Sequence, residues 1–469
     1  MKISYTEKNT EKLYDEVDSL CRQFWDKDGS LHWGYFNDFT AEDFLEASRR
    51  WTKIMLERSG ITSSSKILDI GCGNGNSAIF IAKQTGCQVV GIDLSNIRIQ
   101  NALELATKHP DLDVMFHKAS ITSLPFDDAA FTHVWSQATI YHVHERKKGL
   151  LEIYRVLQDR GILIFDDLVQ PKSVVSNDAK THVFERMLFE QTWSYQEYLH
   201  MLSSLGFIIH MSEDLTKHLR RSYELLANMV KPISSERSFS YHKMCEAIDS
   251  KELGWAFYKC EKIQDRLSWI YDIKGKEELE NKYDLWATLY DTDLENSYRK
   301  CPDTIVKLLK QVVSKSSVSI LDAGCGTGLV GESLYKEGFT NITGVDFSQK
   351  SIDIAQKKHV YSELFKGDLE KPGKLFENCV FDAILSVGVF TYGHVEPGAL
   401  RYLCAWLKED GYLGLVVRKD YLETYQPFQK QLTLLGLKEI KSETFKILDE
   451  RPIWALLYRK SSNNMSNEV

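Results

Sequence analysis

Residues 66–77 read Lys66-Ile-Leu-Asp-Ile-Gly-Cys-Gly-Asn-Gly-Asn-Ser77, and residues 319–330 read Ser319-Ile-Leu-Asp-Ala-Gly-Cys-Gly-Thr-Gly-Leu-Val330. At an offset of 253, Asp69 falls on Asp322, Gly71 on Gly324, Gly73 on Gly326 and Gly75 on Gly328. The same offset carries Gly91-Ile-Asp93-Leu-Ser95 onto Gly344-Val-Asp346-Phe-Ser348. Further on the offset becomes 250. There Phe131-Thr-His-Val-Trp-Ser136 meets Phe381-Asp-Ala-Ile-Leu-Ser386, and Asp159-Arg-Gly161 meets Glu409-Asp-Gly411. An ordered series of matches this long marks a duplicated or fused domain.

Within the first copy, short apolar runs alternate with longer amphipathic stretches, as in βαβ units. The pattern predicts strands at 66–70, 88–92, 114–118, 133–136 and 161–166, with helices between them. The second copy runs the same way from Ser319 to Val417. The expected fold class is α/β: two tandem domains over 1–232 and 281–460, each a mostly parallel seven-stranded sheet with helices on both faces. In Pro232–Gly275 the aromatics Trp255, Phe257, Tyr258, Trp269 and Tyr271 recur at roughly helical spacing, so 233–280 is expected to be a helical linker packed on a domain. The polar tail 461–469 is expected to be disordered.

The chain has 469 residues, which suits two or three domains. Its 43% apolar and 26% charged residues are those of an ordinary globular protein. A net charge of −8 gives no general attraction to nucleic acid or to an anionic membrane. The basic run Lys217–Arg221 is short and suits a solvated helix face. Met1–Tyr14 is polar, without an apolar run fit for a signal peptide, and no stretch has the length and apolarity of a membrane span. A cytoplasmic location, no nucleic-acid or membrane partner, and a monomer or homodimer are therefore expected. The nine cysteines are scattered, with no CxxC pair and no metal-ligand spacing. Free, mostly buried thiols and no metal follow.

A strand followed by Gly-x-Gly-x-Gly lets the backbone approach a ligand, and the helix N-terminus beyond it offers N–H groups to polar atoms. Asp93 and Asp346 each stand 22 residues beyond the first glycine of their loop, where a carboxylate can accept from both ribose hydroxyls. Dehydrogenases use a related loop. Three details favour S-adenosylmethionine instead: the preceding Leu-Asp pairs ending in Asp69 and Asp322, the Gly-x-Gly-x-Gly spacing, and a position after the third strand suited to the adenine amino group. That position is Asp368 in the second copy but Ser120 in the first, which leaves open how tightly the first copy holds adenine.

These motifs resemble the class I S-adenosylmethionine-dependent methyltransferases, whose fold is Rossmann-like. The resemblance extends the expected cofactor contacts to Leu94, Ile121, Phe347, Leu369 and Ser386. In the first copy, Val134-Trp-Ser-Gln-Ala-Thr-Ile-Tyr-His-Val-His144, Phe165-Asp166-Asp167, Arg186-Met-Leu-Phe-Glu and Asp214-Leu-Thr-Lys-His218 resemble the sarcosine/dimethylglycine N-methyltransferases. On that resemblance Trp135, Ser136 and Gln137 line the pocket near the methyl group, with His142 close by. His142 or Asp166 relays the amine proton, although a structural histidine is an equal reading of His142. Trp33, Tyr35 and Tyr141 are candidate substrate contacts, since aromatic faces attract cations. The second copy opens with Tyr283-Asp-Leu-Trp-Ala-Thr-Leu-Tyr-Asp291, found before many such domains. Tyr283 is its candidate catalytic residue and Tyr290 a candidate substrate contact, and Trp286 reads equally well as core. Leu329-Val-Gly-Glu-Ser-Leu and Leu385–His394 resemble the methyltransferase-like family of the Williams–Beuren region, which supplies no substrate.

The function expected is successive N-methylation of a small amine or amino acid of the glycine, sarcosine or dimethylglycine type to a betaine-type product. Two alternatives stay open. One half is a non-catalytic S-adenosylmethionine-binding module, or the acceptor is phosphoethanolamine or another small metabolite.

Overall fold

The computed structural model describes residues 6–40, 42–189, 192–272, 275–294, 298–424, 426–447 and 452–461. Residues 462–469, nearly all of the tail expected to be disordered, lie outside the described residues. The chain divides into two compact units, one up to Gln264 and one from Asp265 onward.

The first unit holds β1 (Lys66–Ile70), β2 (Gln88–Asp93), β3 (Val114–Lys118), β4 (Phe131–Gln137), β5 (Leu157–Val169), β6 (Phe207–Asp214) and β7 (Gly254–Lys262). Their order in the sheet is β3-β2-β1-β4-β5-β7-β6. The first five run parallel, and β7 is antiparallel to both β5 and β6. Successive side chains feed opposite faces. Ile67 joins the cluster of Trp51, Phe116 and Trp255, and Leu68 joins that of Leu150, Phe165 and Tyr258. Both faces are covered, so the strands read as nearly unbroken apolar runs.

The second unit repeats this plan with β8 (Ile320–Ala323), β9 (Ile342–Asp346), β10 (Glu363–Lys366), β11 (Phe381–Val387), β12 (Leu407–Arg418), β13 (Leu437–Lys446) and β14 (Pro452–Lys460). The order β10-β9-β8-β11-β12-β14-β13 is the same one shifted by seven strands.

Segment 233–280 departs from the expected helical linker. The helix Ser235–Asp249 is present, but Gly254–Lys262 is β7, the strand on which the first sheet closes. Its aromatics alternate rather than recur every third or fourth residue. Trp255 and Phe257 enter one core cluster, and Ala256, Tyr258 and Cys260 enter the other. Burial on both faces hid the strand period from a count of aromatics.

In each sheet the chain turns outward in opposite directions on either side of the first strand, between β1 and β4 and between β8 and β11. The crevice beyond the carboxyl ends of those strands is where such sheets bind ligands. No helix among the described residues is long and apolar enough to cross a membrane.

Candidate functional site

Both glycine loops leave the carboxyl ends of β1 and β8 and enter the helices Asn76–Thr85 and Leu329–Lys336. Gly71 and Gly324 have φ of +73° and +81°. A Cβ on Gly71 would lie 2.2 Å from Thr139 Oγ1, and one on Gly324 would lie 2.2 Å from Val389 Cγ2. Protein packing fixes these glycines. Gly73 and Gly326 differ: the nearest atom to a Cβ on Gly73 is Arg98 Nη1 at 3.8 Å, and Gly326 has nothing within 4 Å. Their open sides face the cavities, where a ligand can approach the backbone.

Asp93 Oδ2 accepts from Gly73 N–H at 3.0 Å and Oδ1 from Ser95 N–H at 2.8 Å. Asp346 accepts from Gly326 and Ser348 in the same way, both at 2.9 Å. One backbone donor on each oxygen fixes the carboxylate plane and leaves each oxygen a further lone pair, enough for two vicinal hydroxyls. Burial raises the Asp346 carboxyl to about 6, against its backbone hydrogen bonds.

A cavity of about 250 Å³ opens over the first loop, lined by Gly71, Gly73, Asp93, Leu94, Ile121, Gln137, Tyr141 and His142 among others. In the second unit a cavity of about 80 Å³ holds Gly324, Gly326, Asp346, Phe347, Asp368 and Leu369. Beside it is a compartment of about 100 Å³ that shares Tyr283 and Tyr290. These residues fit S-adenosylmethionine: a backbone cradle open to the ligand, a carboxylate poised for a ribose, and apolar side chains to sandwich the base.

Sequence reading missed the helix that covers the first cavity. Glu7–Phe24 places Glu11, Tyr14 and Asp15 as Lys276–Leu294 places Glu280, Tyr283 and Asp284. Lys118 Nζ lies 2.5 Å from Glu11, and Lys366 Nζ 2.8 Å from Glu280. Ser95 Oγ donates to Asp15, and Ser348 Oγ to Asp284, each at 2.5 Å. Tyr14 Oη is 2.5 Å from His142 Nε2, and Tyr283 Oη is 2.9 Å from His394 Nε2. The signal was in the sequence as Glu-x-x-Tyr-Asp at 11–15 and 280–284. Its offset is 269 rather than 253, so a search in the register of the glycine loops passes over it.

Both rings of each dyad are neutral at physiological pH. Burial lowers His142 to about 3, with help from Arg98 and Arg146, and burial also lowers His394. Burial raises the Tyr14 and Tyr283 phenols. His394 Nδ1 faces the Tyr392 carbonyl at 3.1 Å, so Nδ1 carries the proton and Nε2 accepts from Tyr283.

Several expected site residues stand elsewhere. Asp166 is buried outside the cavity lining and accepts from the indoles of Trp51 at 2.8 Å and Trp255 at 2.9 Å. These two indoles tie it into the core beneath the site. Asp167 holds the turn bearing His142 by accepting from Tyr141 N–H and the Tyr198 hydroxyl. Trp135 is fully buried and donates to Gln137, which does line the cavity. Ser136 and Ser386 donate to the Ile70 and Ala323 carbonyls, tying the central strands together beneath the site. Asp69 and Asp322 also lie below it. Burial raises Asp69 to about 8, with the Asp93 charge adding, and raises Asp322 to about 7 although Tyr361 donates to it. Gly75 and Gly328 turn toward Phe116 and Tyr361 rather than the cavities. Tyr35 stacks between Trp51 and His218 outside the cavity lining, whereas Trp33 and Tyr141 line it. Ser120 donates to Glu7, which lines the cavity in its place.

Three guanidinium groups line the first cavity, from elements far apart in sequence: Arg98, Arg186 and Arg237. Arg98 lies 4.1 Å above the Tyr14 ring and 3.6 Å from Asp18. Arg186 donates Nε to the His182 carbonyl and lies 5.3 Å over Tyr241. Its Nη2 is buried without a hydrogen-bond partner, as is Nη2 of Arg98. Among the described residues neither Arg186 nor Arg237 forms a salt bridge. No basic cluster was visible in the sequence, because the fold assembles this one from three segments.

Two family models, each described as a methyltransferase domain, match residues 68–165 and 320–411. Among curated relatives, "O-methyltransferase resE" of Aspergillus sclerotiorum is 27% identical over 56% of this chain and 100% of its own length. The 27-O-demethylrifamycin SV methyltransferase of Amycolatopsis mediterranei is 31% identical over 45% of this chain and 78% of its own. A sarcosine/dimethylglycine N-methyltransferase of Halorhodospira halochloris is 30% identical over 45% of this chain and 75% of its own.

Proposed function

The chain belongs to the S-adenosylmethionine-dependent methyltransferases, and from that premise we propose that its first half methylates the nitrogen of a small amine bearing an anionic group, an amino acid of the glycine, sarcosine or dimethylglycine type. In this reading the second half carries out a further methylation. For that half the matching family model, a methyltransferase domain over residues 320–411, names no acceptor.

The observation that carries the reading is the pair Arg186 and Arg237, which face the cavity without counter-charges beside Trp33, Tyr141 and Tyr223. A carboxylate suits a guanidinium fork, and binding one there satisfies the Arg186 Nη2 donor, which is otherwise buried without a partner. The same positive field disfavours an ammonium, so it holds more of the bound amine in the neutral form that can attack. Held by the glycine loop and Asp93, S-adenosylmethionine would supply the methyl group, passing it from sulfur to the amine lone pair in line with S-adenosylhomocysteine as the by-product. Catalysis is chiefly positioning. A phosphate would satisfy the same arginines, which favours phosphoethanolamine as the second reading.

The test is methyl transfer from labelled S-adenosylmethionine by the full chain, read by mass spectrometry with glycine, sarcosine, dimethylglycine, ethanolamine and phosphoethanolamine. The reading expects N-methylation of an anion-bearing amine, and ethanolamine as a poor acceptor. Preference for phosphoethanolamine selects the second reading. Transfer confined to a hydroxyl, thiol or carbon contradicts both.

A further inference from the structure

At corresponding places beside their cavities the two halves put the carboxylate on different elements, the covering helix in the first and the loop after the third strand in the second. After β3 and β10 the register is fixed by matching backbone bonds. Ala119 N–H donates to the Asp93 carbonyl at 3.2 Å, and Gly367 N–H donates to the Asp346 carbonyl at 2.9 Å. In that register Ser120 corresponds to Asp368, Ile121 to Leu369 and Thr122 to Glu370. On the covering helices the Glu-x-x-Tyr-Asp register sets Glu7 against Lys276.

These correspondences meet in space. In the first half the hydroxyls of Ser120 and Thr122 both donate to Glu7, at 2.5 Å and 3.3 Å. In the second half Lys276 Nζ donates to Asp368 and Glu370, each at 2.6 Å. One trio has its anion on the helix and two neutral donors on the loop. The other has its cation on the helix and two anions on the loop. Each carries one net negative charge. Glu7 and Asp368 both line their cavities, and Ser120 does not line the first.

The exocyclic amino group of adenine donates hydrogen bonds and needs an acceptor. The two hydroxyls converge on one oxygen of Glu7, Oε1, which leaves Oε2 to accept from a further donor. We propose that Glu7 is the adenine-end acceptor of the first cofactor site, standing in for the loop acid that the second half keeps as Asp368. The helix Glu7–Phe24 is thereby part of the first cofactor site, and its docking and cofactor binding support each other.

The test isolates the first site in the full chain carrying Asp346→Ala, with thermal melts to confirm folding. Calorimetry compares S-adenosylhomocysteine with S-inosylhomocysteine, which presents an oxygen acceptor where adenine presents its amino donor. With Glu7 as acceptor, Glu7→Gln lowers the preference for the adenosyl ligand about tenfold, the order of one charge-assisted hydrogen bond. Glu7→Lys lowers it further. Adding Ser120→Asp to Glu7→Lys recreates the Lys276–Asp368 pair of the second half and restores the preference. An unchanged preference in Glu7→Gln and Glu7→Lys overturns the proposal. So does an equal loss of affinity for both ligands, or a failure of the exchanged pair to restore the preference.

Discussion

Tyr14 Oη lies 2.5 Å from His142 Nε2, and in the other half Tyr283 meets His394 at 2.9 Å. Each dyad joins the covering helix to the turn that follows β4 or β11, the turn that packs against the glycine loop through Thr139 or Val389. Its parts act together, so their losses should not add. Tyr14→Phe and His142→Ala should each lower methyl transfer by the first half about tenfold, because either loses the bond that positions the covering helix on that turn. The double variant should be no worse than the weaker single. Steady-state rates for the four proteins, in a background with the second half silenced by Asp346→Ala, check this. Additive losses would show that the two rings act separately.

Gly324 and Gly326 separate protein packing from ligand space. Gly324→Ala puts a Cβ 2.2 Å from Val389, so it should lower the melting temperature of the second half and weaken cofactor binding together. Gly326→Ala meets nothing within 4 Å, so its stability loss should be limited to the strain of positive φ, about 1–2 kcal/mol. It should nonetheless weaken S-adenosylhomocysteine binding by tenfold or more. Retained affinity in Gly326→Ala, measured by calorimetry beside a melting scan, would place the ligand elsewhere.

Asp166 accepts from two buried indoles, and its expected role is structural. Asp166→Ala strands two buried indole N–H groups, at about 1–3 kcal/mol each. The prediction is a large drop in the unfolding midpoint of the first half. At a temperature where Asp166→Asn remains folded, methyl transfer should stay within about threefold of the parent. A folded Asp166→Asn protein that has lost its activity would return this carboxylate to the chemistry.

The Asp69 carboxyl gives a pH signature. Its folded value of about 8 lies above its ordinary 3.8, because burial disfavours the charge. Between these values the folded state holds a proton that the unfolded state releases. Stability from this group is therefore fully present below pH 3.8 and is lost as pH rises through about 8. His142, lowered to about 3 by burial, acts in the opposite sense below pH 6.5, so variant and parent must be compared at each pH. Asp69→Asn should raise the melting temperature of the first half more at pH 9 than at pH 5. A gain that does not depend on pH would contradict the assignment.

Much of this architecture was legible in the sequence because it is written locally. The glycine loops, Asp93 and Asp346, and the first five strands of each half are each set by a short run whose period or conformational need belongs to that run. What escaped is set by packing between distant segments. β7 lies in a segment whose aromatics recur at roughly helical spacing, because burial on both faces of the strand distributes them over two cores. Asp166 and Trp135 were placed in the site because they end or occupy its strands, yet both turn into the core. The guanidinium cluster comes from residues 98, 186 and 237. The helix bearing Glu7 and Tyr14 was passed over because an insertion shifts its register against the loops. Ser120, read as a gap in the adenine site, marks the place where Glu7 arrives from that helix.

Two glycine loops, each with its ribose carboxylate, should give one chain two cofactor sites. The number is read by calorimetric titration of the full chain with S-adenosylhomocysteine. The structure predicts two sites per chain, with Asp93→Ala abolishing one and Asp346→Ala the other. A single site in the parent chain, or either variant losing both, would contradict it.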